Sequence, residues 1–251
     1  MVISLQKWTK VENKATESRQ FPIVEIYGPV VQGEGEMIGR RTHFVRSGYC
    51  DYRCSWCDTM FSVDPLAVKE NAKMMTAAEI TNALNQLQPA GWITLSGGNP
   101  AIQPFDNLVS VLHNNNFQVA IETQGSIFRS WIGDCDCITV SPKPPSSGMR
   151  GHDPDFAKLD NFIERVPSSK TNLKVVIFDE TDFEFAKILH LRYPTLPFTM
   201  QVGNNVGEDS TEALVSKLLW LTEKVLADDS LINVKPLPQL HTLLYANMRG
   251  K

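Results

Sequence analysis

Thr42-His43-Phe44-Val45-Arg46-Ser47-Gly48-Tyr49-Cys50-Asp51-Tyr52-Arg53-Cys54-Ser55-Trp56-Cys57 joins a strand-like run to a cluster of cysteines. The run is rich in β-branched and aromatic residues and is stopped by Gly48, the pattern of a strand delivering its last residues to a loop. The cysteines that follow have the spacing C-x3-C-x2-C. Three thiolates on one short loop can reach three corners of a cubane cluster and leave the fourth iron without a protein ligand. An open iron can bind and activate a small molecule, whereas a structural zinc ion closes with four protein ligands. His43 is near in sequence, but as a strand residue it has no assured path to the loop. Zinc or inert thiols stand as the alternatives.

The rest of the chain repeats the strand-then-loop theme. Strands are expected over Pro22–Tyr27, Thr42–Ser47, Trp92–Leu95, Gln118–Glu122, Cys137–Ser141, Leu173–Phe178, Phe198–Val202 and Leu231–Lys235. Helices are expected over Thr76–Gln88, Phe105–Asn115, Phe156–Val166, Thr181–Leu191 and Asp209–Ala227. Capping boxes are read at Thr76-Ala77-Ala78-Glu79 and Thr181-Asp182-Phe183-Glu184. Such alternation predicts an α/β fold with a parallel sheet, open or closed into a barrel, whose reactive groups gather at the carboxyl ends of the strands. Five strand ends carry unusual chemistry: the cysteine loop, Ser96-Gly97-Gly98-Asn99-Pro100, Glu122-Thr123-Gln124-Gly125, Ser141-Pro142-Lys143-Pro144-Pro145 and Gln201-Val202-Gly203-Asn204. Gly and Pro punctuate ordinary loops too, but five such ends point to one site at one rim.

Composition bounds the function. The 251 residues, 42% hydrophobic and 21% charged, describe an ordinary globular chain that one domain can accommodate. Residues 1–20 read as a polar segment, ordered or flexible, and 21–251 as a single domain. A net charge of −4 without a Lys/Arg run argues against a nucleic-acid partner. No run approaches the roughly 18 apolar residues of a membrane span, so none is expected. Five cysteines, three of them clustered, suit a metal or redox site in a reducing compartment, hence the cytoplasm. Cys135 and Cys137, two apart, are read as buried thiols on one strand face. His113, His152 and His190 lack partner motifs and read as surface or structural.

Cys-x3-Cys-x-aromatic-Cys, with Trp56 as the aromatic residue, resembles the signature of the radical S-adenosylmethionine superfamily. Gly97-Gly98-Asn99-Pro100 resembles its Gly-Gly-Glu-Pro motif, with Asn99 where Glu is commoner; the amide keeps an acceptor oxygen. The resemblance implies a [4Fe–4S] cluster on Cys50, Cys54 and Cys57. Its open iron chelates S-adenosyl-L-methionine, which is cleaved to a 5′-deoxyadenosyl radical. Within the superfamily, Val31-Gln32-Gly33-Glu34-Gly35, Gly39-Arg40, Phe44-Val45-Arg46, Cys57-Asp58-Thr59, Glu122-Thr123-Gln124-Gly125, Ser141-Pro142-Lys143-Pro144-Pro145-Ser146-Ser147-Gly148 and Leu237-Pro238-Gln239-Leu240-His241 are similar to the 7-carboxy-7-deazaguanine synthases.

That family implies a partial, incomplete TIM-type barrel, a homodimer, an external electron donor of flavodoxin or ferredoxin type, and Mg2+. It converts 6-carboxy-5,6,7,8-tetrahydropterin to 7-carboxy-7-deazaguanine with loss of ammonia, on the way to queuosine. The resemblance assigns Gln32, Glu34, Gly35, Arg46 and Ser96 to substrate. It assigns Gly97, Gly98, Glu122, Ser141, Lys143 and Gln201 to cofactor, with Lys143 open to orienting substrate instead, and Thr59 to magnesium. The residue types suit these roles: a carboxylate such as Glu34 pairs bidentately with a pterin edge, and a guanidinium such as Arg46 suits the substrate carboxylate. A solvated Glu34–Arg46 pair is the bland alternative. A glycine-radical activase would share the cysteines but lack Gln32-Gly33-Glu34-Gly35, and a zinc scaffold would lack iron and sulfide.

Overall fold

The computed structural model describes residues 18–205, 209–246 and 248–250. Most of the expected polar segment, residues 1–17, therefore lies outside the described residues, and Gln20 already belongs to the first strand. In chain order the elements are β1 (Gln20–Val31), β2 (Arg41–Ser47), α1 (Met60–Val63), α2 (Pro65–Asn71), β3 (Lys73–Thr76), α3 (Ala77–Asn85), β4 (Trp92–Gly97), α4 (Asp106–Asn114) and β5 (Gln118–Thr123). They continue with β6 (Cys137–Val140), α5 (Ala157–Ile163), β7 (Thr171–Ile177), α6 (Glu180–Arg192), β8 (Phe198–Val202), α7 (Thr211–Leu226), β9 (Val234–Leu237) and α8 (Leu240–Tyr245).

Among the described residues the strands form one nine-stranded sheet in the order β3-β1-β2-β4-β5-β6-β7-β8-β9. From β2 through β9 neighbouring strands run parallel, and among the described residues no pairing closes the ends into a complete barrel. The sheet is mixed, however: β1 pairs antiparallel with both β2 and β3. β3 was not expected, because Lys73-Met74-Met75-Thr76 lacks the β-branched pattern of a strand and forms on an edge where only Met75 is buried. The short helices α1, α2 and α8 were also unexpected.

Residue parity separates the two faces of the sheet. Val45, Ile93, Leu95, Val119, Ile121, Ile138, Val140, Leu173, Val175, Ile177, Phe198 and Met200 face the helices in the main core. Phe21, Phe105 and Trp131 add edge-on aromatic contacts at 4.9 and 5.6 Å. On the other face the same strands carry Arg46, Ser96, Glu122 and Lys174. β1 changes face by a bulge. Ile23 pairs with Ser47 while Glu25 pairs with Arg46, so two steps on β1 match one on β2. Ile23 therefore packs in the main core and Glu25 turns inward.

A single 3-10 turn, Gly35–Met37, fills the inner base of the sheet. Met37 packs on Ala120 and Cys137, with Trp92 beside them. Cys135 sits instead in the main core, so the two cysteines are buried as expected but do not share a face. Cys135 lies in the turn before β6, where strand alternation does not apply. At the helix starts, Thr76 and Glu79 form the expected capping box. The one read at Thr181 is absent, because α6 begins earlier, with the Asp179 side chain accepting from the Asp182 amide. Among the described residues no helix is long and apolar enough to cross a membrane.

Candidate active site

The inner face opens at the carboxyl ends of the strands into a cavity of about 320 Å³. Each of the five unusual strand ends contributes to its lining: Cys50, Cys54 and Cys57; Ser96, Gly97 and Gly98; Glu122, Thr123 and Gln124; Ser141 and Lys143; and Asn204. Gln32, Glu34, Arg46 and Thr59 also line it. Gly35 and Gln201 do not. The Gln201 side chain accepts from the Gly35 amide at 3.1 Å and so holds the turn that carries Glu34.

The cysteine loop is tied down on two sides. Asp51, between the first two cysteines, accepts from Asn99 at 2.8 Å, Gln124 at 2.6 Å and Ser126 at 2.6 Å. Asn99 is fully buried, and its oxygen accepts from Thr123 and the Ala101 amide. Its amide is thus engaged in holding the loop and does not line the cavity. On the other side, Ser55 donates to the Ser146 carbonyl at 2.7 Å and the Trp56 indole donates to Ser146 Oγ at 3.0 Å. Lys143 lies over the Trp56 ring and donates to Ser141 Oγ at 3.2 Å.

The glycine pair has a structural cause. A Cβ on Gly97 would stand 2.1 Å from the Ser47 carbonyl oxygen, and one on Gly98 2.1 Å from that of Tyr49. Only bare backbone lets the end of β4 press against the loop that bears Cys50. The three thiols are free and partly buried. Burial pushes the Cys50 and Cys54 thiols up, Cys54 to about 11, so ligation there releases protons. Among the described residues no three His, Cys, Asp or Glu side chains converge on a single metal ion. Three free thiols on one short loop are a donor set that suits a group with several metal corners. Thr59 Oγ1 lies 3.7 Å from Cys57 Sγ, at the start of α1.

Arg46 and Glu34 do not pair with each other. Arg46 donates to Glu25 at 2.9 Å and to the Tyr27 hydroxyl at 3.1 Å, beside the Tyr27 and Phe61 rings. Glu25 also takes Arg249. Glu34 accepts from Gln239 at 2.7 Å and from Lys174, with His241 4.0 Å away. The same Lys174 ammonium donates to Glu122. Burial pushes the Glu34 carboxyl up, but Lys174, His241 and Gln239 outweigh it and bring it down to about 2. Among the described residues, buried Ser96 Oγ, Gln201 Nε2 and Gln239 Oε1 have no hydrogen-bond partner. Ser96 and Gln239 both line the cavity, so a polar ligand there would satisfy them.

Lys174 and Glu25 were not anticipated. A lysine inside Leu173-Lys174-Val175-Val176-Ile177 is a charge in the middle of a buried strand, which was signal enough to find it. Glu25 gave no such signal, since its inward turn depends on the bulge. His43 is buried and does not line the cavity, His113 pairs with Asp136 at 3.0 Å, and His190 is buried against Phe198.

No family model matches the chain. It is 42% identical over 239 residues to the 7-carboxy-7-deazaguanine synthase of Bacillus cereus, covering 92% of this chain and 99% of that one. It is 43% identical over 245 residues to the enzyme of the same name from Bacillus subtilis, covering 93% and 99%. Among solved structures it resembles QueE from Escherichia coli, with a TM-score of 0.66, 22% identity, and coverage of 86% and 94%. Streptococcus suis SuiB bound to its precursor peptide SuiA matches at a TM-score of 0.53 and 13% identity, over 80% of this chain and 49% of that one.

Proposed function

The chain belongs to the 7-carboxy-7-deazaguanine synthase family, and on that footing we propose how its cavity divides the work. The enzyme is a radical S-adenosylmethionine lyase that converts 6-carboxy-5,6,7,8-tetrahydropterin to 7-carboxy-7-deazaguanine with loss of ammonia, in deazapurine and queuosine synthesis. Its family implies a [4Fe–4S] cluster and S-adenosyl-L-methionine, the cluster supplying the electron that starts the radical chemistry.

In our reading Cys50, Cys54 and Cys57 hold the cluster. Gly97 and Gly98 set the backbone beside the methionine end of the cofactor, and Glu122, Ser141 and Lys143 face the rest of it. Glu34 reads the pterin edge, Arg46 the substrate carboxylate, and Gln32 and Ser96 complete the polar contacts. Thr59 offers a hydroxyl to Mg2+, a hard cation that keeps waters and substrate oxygens as its other ligands. Gly35 and Gln201 act one step removed, by fixing the turn that presents Glu34. A homodimer, a flavodoxin- or ferredoxin-type donor, a cytoplasmic setting and one domain over 21–251 complete the reading.

What carries it is that three thiols, a glycine pair and the Glu34 carboxylate share one cavity. The test is anaerobic incubation of the reconstituted protein with reductant, S-adenosylmethionine and the carboxytetrahydropterin. Product of the deazaguanine mass is expected, and cofactor cleavage without it would remove the substrate reading.

A further inference from the structure

We infer that Lys174 is a positioning residue for substrate recognition, clamping Glu34 and Glu122 with one buried ammonium so that Glu34 meets the pterin as an oriented anion. The inference rests on the reading of Glu34 as the pterin contact. Lys174 rises from the middle of β7 and is 1% exposed, with all neighbouring residues of the strand buried. Its ammonium reaches Glu34 from the β1–β2 connection and Glu122 at the end of β5. The turn is fitted to the lysine stem, since a Cβ on Gly35 would lie 3.4 Å from Lys174 Cδ.

A buried lysine is costly unless its charge is matched, and here two carboxylates match it. The exchange serves the cavity: without the ammonium Glu34 would be a poorly solvated carboxylate, and its burial would favour the protonated form. A protonated Glu34 presents an O–H where the pterin edge presents N–H donors, so recognition would fail. The other groups facing Glu34 are His241 at 4.0 Å and neutral Gln239, both from the C-terminal segment, and Glu122 across the lysine. None of these replaces a permanent positive charge.

The experiment compares Lys174→Met, Lys174→Met with Glu122→Gln, and Glu34→Gln, each as the reconstituted holoenzyme. Pterin affinity is read by anaerobic calorimetry from roughly pH 5 to 8, against iron and sulfide content. Wild-type affinity should not lose an ionised Glu34 anywhere in that range. Lys174→Met should bind on the order of tenfold or more weakly at neutral pH. Its affinity should fall further on acidification, by about tenfold per pH unit below the displaced Glu34 value. The double variant has no second carboxylate to repel Glu34 and is the better placed to fold. An acid-sensitive affinity in it supports the inference, and a wild-type profile in it overturns the inference. If Glu34→Gln binds weakly while both lysine variants keep a wild-type profile, the role of Lys174 falls and that of Glu34 stands. If Glu34→Gln binds as wild type, the reading of Glu34 falls and takes the inference with it.

Discussion

Three thiols and one carboxylate carry the sharpest predictions at the scale of single residues. Cys50→Ala, Cys54→Ala and Cys57→Ala should each abolish reductive cleavage of S-adenosylmethionine. Cys135→Ala, in the packed core away from the cavity, should largely spare it. Iron content and 5′-deoxyadenosine release check this, and equal behaviour of all four variants would reject the ligand set. Glu34 adds a pH dependence. Its carboxyl lies near 2 in the fold against an ordinary 4.5, so its pairing stabilises the protein fully above the unfolded value. That contribution is lost as pH falls from about 4.5 towards 2. Acid unfolding followed by circular dichroism should therefore be less steep through that window in Glu34→Gln than in wild type. A steeper or unchanged slope would mean that another group dominates there.

Elements place those residues, and the cost of misplacing an element can be read from contacts. β4 must end against the cysteine loop, so Gly98→Ala pushes a methyl into the Tyr49 carbonyl. Overpacking of this kind costs about 1–3 kcal/mol. It should appear both as lower thermal stability and as poorer cluster loading after reconstitution; full iron loading would contradict the account of the glycine pair. In the core, Phe105 is fully buried between Phe21 and Trp131, and Phe105→Ala should cost about 3–5 kcal/mol in denaturant titration without moving any cavity residue.

The parallel strands were legible because their β-branched runs are bounded by Gly, Pro and polar residues. The antiparallel edge was not, since β3 is held by pairing with β1 and not by its own composition. Nor was the β1 bulge, a feature of register that turns Glu25 inward. Asn99 was legible as a motif position but not in its use, which depends on Asp51 approaching from another loop.

On the scale of the whole molecule, a nine-stranded sheet left open at its edges gives one apolar face to helices and the other to a polar cavity. That cavity brings Cys50, Cys54 and Cys57 together with Glu34, Lys174 and Glu122, and in the proposed reading the radical source and the pterin meet there. Substrate and product differ by elimination and rearrangement without net oxidation, so a hydrogen taken from the substrate can be returned and the cofactor regenerated. The direct measurement uses pterin deuterated at the reacting carbon, with mass analysis of recovered S-adenosylmethionine. Deuterium in the recovered cofactor is the expected result. Unlabelled cofactor, with one 5′-deoxyadenosine released per turnover, would contradict it.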